Sequence, residues 1–193
     1  MPKNSDNIIR LADGAKKGNS QAIDKLVTIY HQDIYKMVFY RTGSQMDAED
    51  ITQEIFIKMV KSIKNIRNTS LFKAWLYRIA VNKITDHYRK KAVLSIFVNR
   101  PVTEEESSCL NEDQSGFLMK KEFYASLFDF TKMLSKREKE IFLLRFIDQL
   151  SIKEIAETLH KSESTVKTHL YRSIKKFKSN TEFRNLLGGD HEN

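Results

Sequence analysis

Cysteine is nearly absent: the 193 residues include one, Cys109. No disulfide can therefore form within the chain; a redox switch is one reading of that thiol, but with no basic neighbour to lower its pKa a bland linker thiol is the favoured one. Proline and glycine are scarce, at 2 and 6; with abundant Lys, Glu, Ile and Leu this favours an all-α fold. No apolar run is long enough to span a membrane and no stretch resembles a signal peptide. The expectation is a soluble cytoplasmic protein with no direct membrane insertion. Metal-ligand spacings such as HxxxH or CxxC are missing too. Asp47, Glu49, Asp50, Asp86 and His87 are potential ligands, but the acids are spread around a helix, so no metal, cofactor or catalytic chemistry is expected.

What the chain has is positive charge, unevenly placed. The net charge is +8, which suits a polyanionic partner. Residues 61–91 hold nine Lys/Arg against one acid, Asp86. Residues 101–117 hold five acids and no Lys or Arg, and residues 118–178 hold fourteen Lys/Arg against eight acids. Two basic blocks flank an acidic strip, which predicts two small helical domains joined by an acidic flexible linker. The boundaries read as 1–92 for the first domain, 93–117 for the linker, 118–180 for the second domain and 181–193 for a tail.

Helical spacing of apolar residues predicts helices over about 6–17, 21–41, 47–64 and 71–91 in the first domain. Ser20 and Ser70 are the expected caps of the second and fourth. Core candidates are Ala22, Leu26, Ile29 or Tyr30, Met37 and Tyr40; then Ala48, Ile51, Ile55, Phe56, Met59, Val60 and Ile63; then Phe72, Trp75, Leu76, Ile79 and Ala80. From Val93 the helical pattern gives way to VLSIFV and a polar, acidic run. It resumes at about 118–133. Ser135 with Glu138, and Ser151 with Glu154, fit the Ser-x-x-Glu capping box of two further helices, and Ser162 suits the cap of a last one.

The stretch Leu150–Phe177, LSIKEIAETLHKSESTVKTHLYRSIKKF, is a helix-turn-helix pattern. Ile152, Ile155, Ala156 and Leu159 face inward on the first helix; Val166, Leu170, Ile174 and Phe177 do so on the second. The opposite side of the second carries Ser164, Lys167, Thr168, Tyr171, Arg172 and Lys175. Such a helix enters the major groove of duplex DNA. Lys167 and Arg172 suit guanine O6 and N7, and Thr168 a thymine methyl; Lys175, Lys176 and Lys178 read as phosphate contacts. Upstream, Arg78, Asn82, Thr85 and Arg89 fall on one helical face with Tyr77 and Tyr88 beside it, a mixture suited to single-stranded nucleic acid. The polar loop before that helix could hold an unstacked base. Asp47, Asp50 and Glu54 form a stripe that serves either the helix dipole or protein docking.

The segments GNSQAIDKLVTIY, DAEDITQEIF and LFKAWLYRIAVNKITDHYRKK, followed by an acidic strip and the helix-turn-helix, together resemble a bacterial RNA polymerase sigma factor. The type is the small extracytoplasmic-function (ECF) group of the sigma-70 family. The resemblance implies a sigma domain 2-like bundle and a sigma domain 4-like helix-turn-helix, and a protein that is not an enzyme. It implies core RNA polymerase and promoter DNA as partners, with an anti-sigma factor as a third in many members. Asp47, Asp50, Gln53 and Glu54 would dock on the coiled coil of the largest core subunit. Lys64, Asn65, Arg67, Asn68 and Ser70 would capture a flipped base of the −10 element, supported by Arg78, Asn82, Lys83, Asp86 and Arg89. Ser164, Lys167, Thr168, Tyr171, Arg172 and Lys175 would read the −35 element. His160 stands where the family often has Gly, Lys161 where it has an apolar residue and Ser164 where it has Gly. An autonomous helix-turn-helix regulator shares the C-terminal pattern and is the alternative, but the upstream half shows no receiver or ligand-binding domain.

Overall fold

A computed structural model describes residues 5–98, 127 and 129–179, with the backbone alone for 94–98. The chain divides into two compact units, one within Met1–Ser108 and one within Cys109–Asn193. Among the described residues every regular element is helical. The expected linker residues 99–117, with Cys109, and the tail lie outside the described residues.

The first unit contains α1 (Ser5–Lys16), α2 (Ser20–Thr42), α3 (Gln45–Ser62) and α4 (Phe72–Val98), with two 3-10 turns, Ile63–Asn65 and Thr69–Leu71, between α3 and α4. Helix α2 packs against α1 and α3, and α3 against α4. Gly14 lets α1 and α2 approach closely: a Cβ there would stand 3.2 Å from that of Ala22. Helix α2 ends at Gly43, whose φ of 69° suits a residue without Cβ. The core is Leu26, Tyr30, Ile34 and Met37 from α2, Ala48, Ile55 and Met59 from α3, and Phe72, Leu76 and Ala80 from α4. Tyr30 and Phe72 meet with ring centroids 5.6 Å apart. Burying each such large side chain stabilises by roughly 1.5–3 kcal/mol before conformational entropy is subtracted.

Several expectations are corrected. Asn19, not Ser20, caps α2, accepting from the Ala22 amide at 3.1 Å; both are good caps, and the chain turns one residue earlier. Ser70 does not cap α4. Asn68 caps the 3-10 turn that precedes it, and Ser70 lies inside that turn. Helix α4 continues through 93–98, residues assigned to the linker. An established helix grows at little cost, and no Gly or Pro stands in its way before Pro101. Tyr77, expected beside the exposed face, is 1% exposed and belongs to the core, whereas Val60 is 43% exposed. Trp75, Ile79 and Tyr40 are half-buried.

The second unit has a helical stretch at 129–132, then α5 (Lys136–Phe146), α6 (Ile152–Leu159) and α7 (Glu163–Ser179). Both capping boxes form as the sequence predicts, and the Thr165 amide donates to Ser162 Oγ at 3.2 Å. Leu127, Phe130, Leu134 and Phe142 make a core against which Ile147 and Phe177 pack. Ile155, Ala156, Val166 and Leu170 are buried where α6 meets α7.

Candidate nucleic-acid interface

The tight turn between α6 and α7 sets how α7 is presented. His160 closes α6 in the left-handed region, φ 51° and ψ 50°, and the Lys161 amide donates back to the Ala156 carbonyl at 3.0 Å. Glycine would adopt this conformation without steric cost; histidine is strained there but tolerated. With Val166, Leu170 and Ser173 buried, the other side of α7 must face outward. Ser164, Lys167, Thr168, Tyr171, Arg172 and Lys175 are all exposed, Tyr171 at 71%. Thr168 Oγ1 donates to the Ser164 carbonyl at 2.9 Å, which leaves its methyl free for an apolar contact. Of the three lysines read as phosphate contacts, Lys175 and Lys178 are exposed. Lys176 is half-buried and bonded to Glu138 at 2.7 Å, a partner that a phosphate would have to displace.

In the first unit the loop between α3 and α4 is pinned by two apolar residues, Ile63 and Ile66. Ile66 is buried, while Lys64, Asn65, Arg67, Asn68 and Ser70 around it are exposed. Asn68 Oδ1 accepts from both the amide and the hydroxyl of Ser70, at 2.9 and 2.7 Å, a local turn that fixes the loop's course. Its amide nitrogen is left to donate outward. Behind the loop, on α4, Asn82 and Arg89 are exposed, and Arg78, Lys83 and Asp86 are partly covered. Lys83 Nζ meets Glu54 Oε2 at 2.6 Å, and Arg89 meets Asp86 at 3.1 Å. The bond from Lys83 is the chief reason the Glu54 carboxyl titrates below its ordinary range.

On α3, Asp50, Gln53 and Glu54 are exposed and Asp47 is partly covered. Asp47 approaches His87 Nε2 at 3.5 Å, and the Tyr88 hydroxyl donates to the Arg41 carbonyl. These two contacts tie α4 to the α2–α3 turn. Beside the acidic stripe lies an open groove of about 900 Å³ between α2 and α3. His31, stacked on Phe56 with centroids 5.8 Å apart, contributes to it, as do Tyr35, Asp50, Gln53, Ile57 and Val60. Thr52, buried at its edge, has a hydroxyl without a partner among the described residues. Apolar side chains next to carboxylates and amides have the mixed character of a protein-binding surface.

Sigma-70 region 2 matches residues 26–93, and Sigma-70 region 4 matches residues 127–177. The ECF RNA polymerase sigma factor SigW of Bacillus subtilis is 32% identical over 167 residues, covering 81% of this chain and 87% of SigW. The chain belongs to the ECF group of sigma-70 family sigma factors. It is an alternative sigma factor and not an enzyme. The ECF sigma factor BldN of Streptomyces coelicolor is 28% identical over 173 residues, 89% of this chain; the chain spans 64% of BldN. The sigma factor RpoE of Bartonella quintana, solved with the anti-sigma factor NepR, has the same fold at a TM-score of 0.68. It is 20% identical, with 87% of this chain and 98% of that one covered.

Within this sigma factor the sequence-predicted residues sort into three exposed surfaces, on α7, on the loop with α4, and on α3. The structure also joins residues of different assignment: Glu54 and Asp47 of the docking stripe pair with Lys83 and His87 of α4. The sequence gives no sign of those pairs, because the partners lie 29 and 40 positions apart. Ile57 was missed altogether. Its apolar side chain lies off the core stripe of α3 and is 48% exposed, a departure from amphipathic pattern that could have flagged it. Among the described residues no cluster could hold a metal ion, and no helix is long and apolar enough to cross a membrane.

Proposed function

We propose that this sigma factor binds core RNA polymerase through α3 and directs initiation by reading two promoter elements. Asp47, Asp50, Gln53 and Glu54, with Ile57 and Val60 of the adjoining groove, dock on the coiled coil of the largest core subunit. The row Ser164–Lys175 on α7 reads the −35 duplex. The loop residues Lys64, Asn65, Arg67, Asn68 and Ser70 take an extruded non-template base of the −10 element, and Arg78, Asn82, Lys83, Asp86 and Arg89 support the strand. Domain boundaries follow the same division: 1–92 extended to Val98 for docking and −10 capture, and 118–180 for the −35 element. The acidic strip between them threads a basic channel of the polymerase. An anti-sigma factor is a further partner, a reading supported by the complex in which RpoE was solved.

The physical scheme is recruitment and melting. Pulling a base from the stack costs a few kcal/mol; each base that stacks or enters a pocket returns about 1–3 kcal/mol. A duplex anchor on α7 keeps the strand close while that exchange occurs, and the polymerase supplies the chemistry. The observation that carries this reading is the order of the two matched regions on one chain, 26–93 and then 127–177. The second has a basic helix face exposed along its whole length. The test is reconstitution with bacterial core polymerase and run-off transcription from a pool of promoter fragments. Transcripts from a subset, present only when the protein is added, are expected. Tight sequence-specific DNA binding without polymerase, and no core complex, would instead make it an autonomous regulator.

A further inference from the structure

The Glu138 carboxylate makes more bonds than a helix cap requires. It is 5% exposed. Its Oε2 accepts from the Ser135 backbone N–H at 2.9 Å, completing the capping box of α5. The same oxygen accepts from Lys176 Nζ at 2.7 Å. Lys176 Nζ also donates to the Met133 carbonyl at 3.3 Å. That carbonyl follows the helical stretch 129–132, where helix-end carbonyls lack intrahelical partners and attract a cation. One ammonium from the last turns of α7 thus joins the end of one helix to the cap of the next.

The neighbouring residue, Phe177, packs on Phe130 and Phe142, with centroids 5.6 and 6.3 Å away. Val166, Leu170 and Ser173, all buried, already decide which side of α7 faces outward. At its last turns the contact is aromatic, and apolar contact, being non-directional, sets their depth more firmly than their fine rotation. A hydrogen-bonded ion pair is directional and supplies what the aromatic contact lacks. A buried carboxylate whose partner is removed is moreover left uncompensated, so the geometry is strongly held.

We propose that Glu138 and Lys176 are positioning residues for duplex recognition. The pair locks the fine rotation of the last turns of α7, and so trims the angle at which the Ser164–Lys175 row meets the groove, and it withholds Lys176 from the phosphate track of Lys175 and Lys178. This rests on the reading of α7 as the duplex-reading helix, and the experiment separates the two. Holoenzyme reconstituted with wild type, Lys176→Met, Lys176→Arg, Glu138→Gln, Lys178→Met and Arg172→Ala is titrated with promoter DNA across a range of salt. Each is measured on the cognate −35 element and on a scrambled one.

Lys178→Met is expected to flatten the plot of log affinity against log salt by about 0.9 on both DNAs. Lys176→Met is expected to leave that slope unchanged and to lower the cognate-to-scrambled ratio about tenfold, the size of one good base contact. Lys176→Arg restores the ratio. Should Lys176→Met fail to fold, Glu138→Gln carries the test: freeing the ammonium lowers the ratio and steepens the slope by up to about 0.9. A flattened slope with an unchanged ratio in Lys176→Met overturns the proposal, since Lys176 would then be a phosphate contact. So does an unchanged slope and ratio in Glu138→Gln. If Lys178→Met and Arg172→Ala also change nothing, the reading of α7 itself fails.

Discussion

On α7, Lys167, Arg172 and Lys175 stand exposed without a partner among the described residues. In the first unit, Lys83 is held by Glu54 and Arg89 by Asp86. The contrast matters for how each surface binds a polyanion. A free cation that meets a phosphate releases a condensed counterion and gains the full salt-dependent term. A paired cation must first leave its carboxylate, which stays behind near the incoming strand. Exposed pairs of this kind are worth only about 0–1 kcal/mol each, so the exchange is feasible but gains little by charge alone. By charge alone, the α7 face therefore offers a polyanion more than the paired cations of α4 do.

The largest expected effect comes from removing Arg172, the proposed base reader. Arg172→Ala should cost about 1–3 kcal/mol at cognate −35 sequences and relax preference there, as read by competition binding of the holoenzyme on variant elements. Equal loss on every sequence would demote Arg172 to a phosphate contact. Next is Lys178→Ala, expected to weaken binding uniformly and reduce the magnitude of the salt slope by about 0.9. A sequence-dependent loss would contradict its place outside the base-reading row.

Lys83→Met should be milder, below about 1 kcal/mol in capture of a labelled −10 strand, because the lost cation was already paired. Glu54→Gln releases Lys83, and strand capture in the assembled holoenzyme should then become more salt-sensitive. If Lys83→Met matched Arg172→Ala in cost, the comparison between paired and free cations would collapse.

Smallest is the contribution of the Glu138 carboxyl to the pH dependence of stability near neutrality. The bond from Lys176, above all, holds its carboxyl at about 2 against an opposing push from burial. Because the folded value lies below the ordinary 4.5, the stabilisation is fully present above 4.5 and is lost as pH falls through about 2. Thermal melts should show no contribution to pH dependence from this group between pH 7 and 5. They should show a fall in acid that Glu138→Gln removes.

Much of the fold was legible because its signals are local. Two Ser-x-x-Glu boxes predicted the starts of α5 and α6, since a cap is decided by four consecutive residues. The exposed row of α7 followed from helical periodicity, and all six residues are exposed. Errors fell where local signals compete: Asn19 and Ser20 are both good caps, and the β-branched and aromatic run after Ala92 weakens helix propensity without ending the helix. Tyr77 looked like a stacking residue on composition, but packing takes it into the core.

The sequence by itself determined the helices, the two-unit division of charge and the chemistry available on each basic face. All of these depend on residues within a few turns of one another. Tertiary structure alone decided which charges are spent and which are free. Lys83 with Glu54 and Lys176 with Glu138 are separated by 29 and 38 positions. Charge–charge contact depends on distance in space, which helix packing sets and no periodicity encodes.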